Sequence, residues 1–216
     1  MFASIRRYRM NSGSLDELVG RVDEGLAEKI AIQPGFVSYE FIDCGGGDMM
    51  TISLFNGEQR AETSRELADL WTLMRVTDLD YRRTESRRGE VMVSRAQHDA
   101  LKPARARGGA KFATIRRYQL RAGDVRQLMH LVDSVFADQV VSIKGFEAYH
   151  AIDWGRGDII SVGLFRDQSP AKESDELALG FVKEDLAAFD IERTEVVGGP
   201  VCVSRAMAAL LEPAHA

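Results

Sequence analysis

One stretch of this chain occurs twice. Phe2–Tyr8 reads FASIRRY, and Phe112–Tyr118 reads FATIRRY. The residues after each copy also match, at a constant offset of 110 and without a gap, as far as Ala96 and Ala206. The copies agree at about 36 of roughly 95 positions, far above chance for an ungapped match. The 216 residues therefore divide into repeat 1 (1–96), a linker (97–110) and repeat 2 (111–216). A unit of this size alone buries a modest core, and two packed together bury much more.

Within each repeat the periodicity switches several times. Phe2–Met10 is short, β-branched and aromatic, and stops at Asn11–Gly13, which predicts a strand. Ser14 and Glu17 have capping-box spacing, as Asp124 and Gln127 do more loosely. Leu15, Leu18, Val19, Val22, Leu26 and Ile30 then mark one face of a helix. Gly35 and Gly145 fall where a helix needs a residue of positive φ. Two strands, Phe36–Asp43 and Asp48–Phe55, flank a glycine-rich hairpin turn. A second helix is predicted from about Arg60 to Met74, and Ser169-Pro170 marks its entry in repeat 2. A last extended segment, Tyr81–Arg95, is expected to break near Gly89, as its copy is near Gly199. The order β-α-β-β-α-β, written twice, is the ferredoxin-like α+β pattern.

Strand parity divides the side chains into two faces. Met50, Ile52 and Leu54 point one way and suit the face under the helices. Tyr39, Phe41 and Asp43, with Ser4, Arg6 and Tyr8 on the first strand, are then assigned to the opposite face. A sheet face so rich in aromatic groups is too apolar to stay bare. Two such faces in one chain predict that the repeats pack sheet to sheet as an intrachain dimeric α/β barrel. A linker of about 14 residues spans roughly 45 Å when extended, which permits this. Pairing of the same faces between chains, as a homodimer, is the alternative.

Composition narrows the function classes. A net charge of −5 gives no basic surface for nucleic acid. The basic run Lys102–Lys111 carries Pro and Gly and reads as a solvated linker. Cys44 and Cys202 occupy non-equivalent positions, so no disulfide framework is expected and a reducing, cytoplasmic setting is. No leader or membrane-length apolar segment is visible. His98, His130, His150 and His215 show no ligand spacing, so no metal site is expected. Asp43–Asp48 and Asp153–Asp158 lack calcium-loop spacing and read as hairpin turns.

The strand ending RRYRMNSGS, the helix after it, and PGF-x-x-Y at Pro34–Tyr39 resemble the antibiotic biosynthesis monooxygenase (ABM) superfamily. So does a strand ending at Phe55 before the Ala-x-x-Ser helix at Ala61–Ser64. The resemblance covers both repeats. It implies two ferredoxin-like units fused into one barrel, and an activity among cofactor-independent oxygenases of quinols or polyketide aromatics, or haem-degrading oxygenases. The Asn, Trp and His of the haem-degrading members do not carry over. Arg6 and Arg116 stand at the first position, and Ser64 and Ser174 near the second.

The candidate substrate-binding residues are Arg6, Tyr8 and Tyr39 with their copies Arg116, Tyr118 and Tyr149. An arginine clamp beside phenols could polarise a phenolate or carbonyl. The competing readings are a barrel-mouth ion pair with Asp43 or Glu85, and tyrosines that only fill the core. Trp71, with Phe181 as its copy, reads as core. No catalytic residue is assigned. The expectation is a small aromatic or quinol substrate held between the sheets and oxidised without cofactor. The alternative is a non-catalytic small-molecule-binding or stress-related module.

Overall fold

The computed structural model describes residues 1–104 and 111–216. The linker residues 105–110 lie outside the described residues. Repeat 1 runs β1 (Phe2–Ser12), α1, β2 (Phe36–Gly45), β3 (Asp48–Phe55), α2 (Glu58–Arg75) and β4 (Asp80–Ala96). Helix α1 is α-helical over Leu15–Arg21, π-helical over Val22–Ala27 and α-helical again over Glu28–Ala31. Repeat 2 runs β5 (Phe112–Ala122), α3 (Val125–Leu131, Val132–Phe136 and Ala137–Val141, with the same π-helical middle), β6 (Phe146–Asp153), β7 (Asp158–Phe165), α4 (Gln168–Glu184) and β8 (Asp190–Ala206).

Local chemistry sets these boundaries. Ser14 Oγ accepts from the Glu17 amide (3.3 Å), and Asp124 Oδ1 from the Arg126 amide (2.8 Å). The cap of α4 is Asp167, which accepts from Ser169 N (3.0 Å); Pro170 comes next in the first turn. Asp43 and Asp153 each accept from the amide two residues on, which forms the hairpin turns (2.8 and 2.7 Å).

The eight strands close into one barrel in the order β1-β3-β2-β8-β5-β7-β6-β4. Neither β4 nor β8 breaks at its glycine. Each continues for 17 residues and passes from a strand of its own repeat to one of the other. β8 pairs with β5 through Phe112↔Pro200 and with β2 through Ile42↔Val201. β4 does the same between β1 and β6. The pseudo-dimer is therefore held by continuous sheet. The segments beyond β4 and β8 match too: Ser94 N donates to Ala214 O and Ser204 N to Ala104 O, both at 3.0 Å. Ala100 and Ala104 of the linker are buried, as is Lys111 at the end of the basic run, so the described linker residues are partly packed against the barrel rather than solvated throughout.

The expected faces are reversed. Ile5, Ile42, Met50, Ile52 and Leu54 meet Ile115, Ile152, Ile160, Val162 and Leu164 in one cluster drawn from both repeats, which is the barrel lumen. Tyr39, Phe41, Phe55 and Met49 lie under the helices with Leu18, Ile30 and Trp71. The reason is geometric. An eight-stranded barrel is only wide enough for its inward side chains to fill it, which suits a ladder of aliphatics. The aromatic rings lie instead between sheet and helices. The lumen is thus a packed core, and the expected guest pocket between the sheets is corrected by it.

Parity alone missed a polar group in that lumen. Glu40 faces Ser204 and its copy His150 faces Ser94, whose Oγ lies 3.0 Å from His150 Nδ1. Lys111 Nζ donates to Ala100 O (2.8 Å) and lies 3.2 Å from Glu147. Burial raises the Glu40 carboxyl to about 8 despite Lys111 and Arg205, and lowers His150 to about 4. A raised carboxyl gives stability that is complete below its unfolded value and fades as pH rises towards 8. A lowered imidazole gives stability that is complete above its unfolded value and fades as pH falls towards 4. Glu40→Gln is therefore expected to raise the melting temperature at pH 8.5 by roughly 5 °C or more and to change little at pH 4.5. Equal shifts at both pH values in scanning calorimetry would contradict this.

Candidate functional site

Alternation along β1 sends Ser4, Arg6 and Tyr8 beneath the helices and leaves Arg7 at the barrel rim. Arg7 pairs with Glu195 (2.7 Å) and Arg117 with Glu85 (3.3 Å), each across the two repeats. The ion-pair reading thus holds for one arginine of each doublet. The other arginine is the candidate. Arg6 sits opposite Thr51 on β3 and Ser86 on β4, and Arg116 opposite Ser161 and Val196. All six expected residues come together as two triads, Arg6–Tyr8–Tyr39 and Arg116–Tyr118–Tyr149. They lie between helices and sheet, not between the two sheets.

Tyr39, Tyr118 and Tyr149 are buried and Tyr8 is half-buried, and desolvation raises each phenol's pKa against the pull of the adjacent arginine. They stay protonated at neutral pH, as hydrogen-bonding groups rather than bases. The inner space beside them is small. It is about 20 Å³ in repeat 1, lined by Tyr8, Tyr39, Phe41, Thr51, Trp71 and Tyr81. In repeat 2 it is about 30 Å³, lined by Tyr118, Tyr149, Phe136, Ser161 and Phe181 among others. A single water needs about as much. Trp71 packs on Gly25 of α1, where a Cβ would lie 3.1 Å from its indole nitrogen, so it is core as expected.

The room lies one layer out. A cleft of about 530 Å³ opens between α2 and β4, lined by Phe2, Glu62, Arg65, Ser86, Arg88 and Gly89 among others. Its copy between α4 and β8 holds about 220 Å³ and is lined by Thr114, Lys172, Asp175 and Val196 among others. A second cleft of about 550 Å³ flanks α2 on the side of Tyr8, Asp69 and Tyr81, and shares Arg83 with the first. A few hundred cubic ångströms is the usual size for a small-molecule site.

The two arginines differ in their partners. Arg116 Nε donates to Asp175 Oδ1 (2.8 Å) and its Nη2 to Ser174 Oγ (3.0 Å). Arg6 is 1% exposed, and its Nε and Nη2 have no hydrogen-bond partner among the described residues. The copy of Asp175 is Arg65, which donates instead to Glu62 and Asp69. Glu62, the acid that feels Arg6, is held by Arg65 through Oε1 and lies 2.9 Å from Arg88 through Oε2, without hydrogen-bond geometry there. Ser4, Tyr39, Ser53 and Ser64 carry further buried oxygens without a partner among the described residues, all on this face of repeat 1. The residues that set this contrast, Arg65 and Asp175, were not among the candidates. Only their opposite charge at one aligned position marks them in the sequence.

This architecture is that of the dimeric α+β barrel proteins, with both ferredoxin-like halves in one chain. Solved structures bear this out at the level of fold. A protein of Lactobacillus acidophilus provisionally assigned as a monooxygenase superposes with a TM-score of 0.68 at 11% identity, over 95% of each chain. One from Fusobacterium nucleatum with the same provisional assignment gives 0.67 at 6% identity, over 95% of this chain and 94% of its own. A provisionally assigned chlorite dismutase gives 0.60 at 11%, over 93% and 94%. No protein-family model matches the sequence, and no curated protein matches it significantly. Among the described residues no helix is long and apolar enough to cross a membrane.

Proposed function

We propose that the protein is a cofactor-independent monooxygenase of a small hydroxylated aromatic or quinol. The substrate rests in the α2–β4 cleft with its oxygen directed towards Arg6. The observation that carries this is the Arg6 guanidinium, buried beside Tyr8 and Tyr39 with donors unused. Such a donor stabilises a phenolate as charge develops on it, and a dry setting strengthens the effect. The deprotonated ring supplies the electrons to oxygen. The monooxygenase assignments of the structural relatives agree with this reading.

A second reading, binding without turnover, is favoured by the protonated state of the four phenols. None can act as the base, so the substrate must lose its proton by its own acidity beside Arg6. Oxygen uptake with a panel of quinols and anthrones separates the two. Uptake above the uncatalysed rate is expected, with a loss of about 100-fold in Arg6→Ala and less than about twofold in Arg116→Ala. Equal uptake by Arg6→Ala and the unaltered protein would remove the role given to Arg6.

A further inference from the structure

We infer that the duplicated chain keeps one buried anion receptor, at Arg6, and that repeat 2 fills the equivalent place with its own carboxylate, Asp175. The receptor takes a carboxylate-bearing small molecule. The inference shares its location with the proposed function but needs no oxygen chemistry.

Burying either arginine is costly. An arginine cannot shed its charge, and a buried cation without a partner is strongly destabilising. Arg116 shows how the fold meets that cost: a carboxylate on α4 at Nε and a hydroxyl at Nη2. In repeat 1 the hydroxyl is kept, since Ser64 is fully buried and its Oγ has no partner. The carboxylate is replaced by Arg65, a residue of opposite charge. Arg6 is thus left with the same two nitrogens free that Arg116 uses.

The direction of approach comes from the same pair of sites. Asp175 lines the repeat 2 cleft and reaches Arg116 from it. A carboxylate seated in the repeat 1 cleft takes the same line; Arg6 does not line that cleft, and Arg65, which does, must swing aside for the carboxylate to reach it. That cleft is more than twice as large and is lined by Arg65, Arg83, Arg87 and Arg88, against Glu58 and Glu62. The polarity beneath it also differs. Ser53 offers an unused hydroxyl where repeat 2 has Gly163, whose Cβ would lie 2.7 Å from the Phe165 ring. At this position repeat 1 presents a hydroxyl that repeat 2 lacks. The ligand class is therefore an anion with further oxygens, and a hydroxylated aromatic carboxylate meets both demands.

The test uses the whole chain with benzoate and its neutral isostere benzamide, in anaerobic titration calorimetry at low salt. One equivalent of benzoate is expected to bind, at least 10-fold more tightly than benzamide. Arg65→Asp, which restores the carboxylate of repeat 2, should weaken benzoate at least 10-fold and raise the melting temperature. Arg65→Ser should keep the site. Asp175→Ser should add a second, weaker equivalent. Benzoate that fails to bind, that binds no better than benzamide, or that survives Arg65→Asp would overturn the inference, as would a lower melting temperature in that variant. A chain that binds benzoate at Arg6 and oxidises no quinol would refute the oxygenase reading and leave this one intact.

Discussion

Gly199→Ala should lower the melting temperature by roughly 6–12 °C. A Cβ at Gly199 would lie 1.8 Å from the Asp43 carbonyl oxygen, at the point where β8 leaves β5 for β2. Its copy Gly89 meets the Asp153 carbonyl at 2.3 Å, where β4 leaves β1 for β6. Neither neighbour is a flexible side-chain tip that could swing away. Both are backbone within the sheet, so the strands must separate. The cost is expected at the top of the over-packing range or beyond it, about 3 kcal/mol. That corresponds to roughly 6–12 °C in the melting temperature of a chain this long. Gly20→Ala and Gly180→Ala serve as controls, because a Cβ at either helical position meets nothing within 4 Å. Those two should be neutral or stabilise by up to about 1 kcal/mol. If all four variants melt alike, the two crossing strands do not close the barrel.

Arg6→Met should make the free protein more stable, and Arg116→Met less stable. Arg6 is a buried charge whose Nε and Nη2 find no partner among the described residues, and an uncharged thioether removes that cost. Arg116 has satisfied its charge through Asp175 and Ser174, and its loss strands both along with Arg193, which shares Asp175 (2.9 Å). Opposite shifts of about 1–4 kcal/mol are expected, read by thermal or urea unfolding. A gain in stability on deleting Arg6 marks it as a residue kept for something other than folding. Two losses of equal size would mean that Arg6 finds its counter-charge within the fold.

The sequence made the architecture readable because the duplication repeats every local signal. FASIRRY and FATIRRY, the caps at Ser14 and Asp124, the glycines at 35 and 145 and the Asp-led turns all fall at the predicted places. Parity correctly grouped Arg6 with Tyr8 and Tyr39. It could not say which group faced the lumen, because β2 and β3 are buried on both faces over most of their length. Once an aliphatic ladder and an aromatic one are both inside, alternation alone does not assign them to lumen or helix side. The lumen pair Glu40 and His150 was hidden for the same reason. So was the contrast between Arg65 and Asp175. Both lie on a helix face with charges at neighbouring turns, and the difference matters only once Arg6 is known to lie beneath that helix.

The most direct measurement is an anomalous diffraction map from crystals of the full chain soaked in 4-iodobenzoate. One iodine peak in the α2–β4 cleft is expected, with the carboxylate against Arg6 and no peak beside Arg116. A peak in the barrel lumen, equal peaks in both clefts, or none at Arg6 would contradict a single receptor built on that arginine.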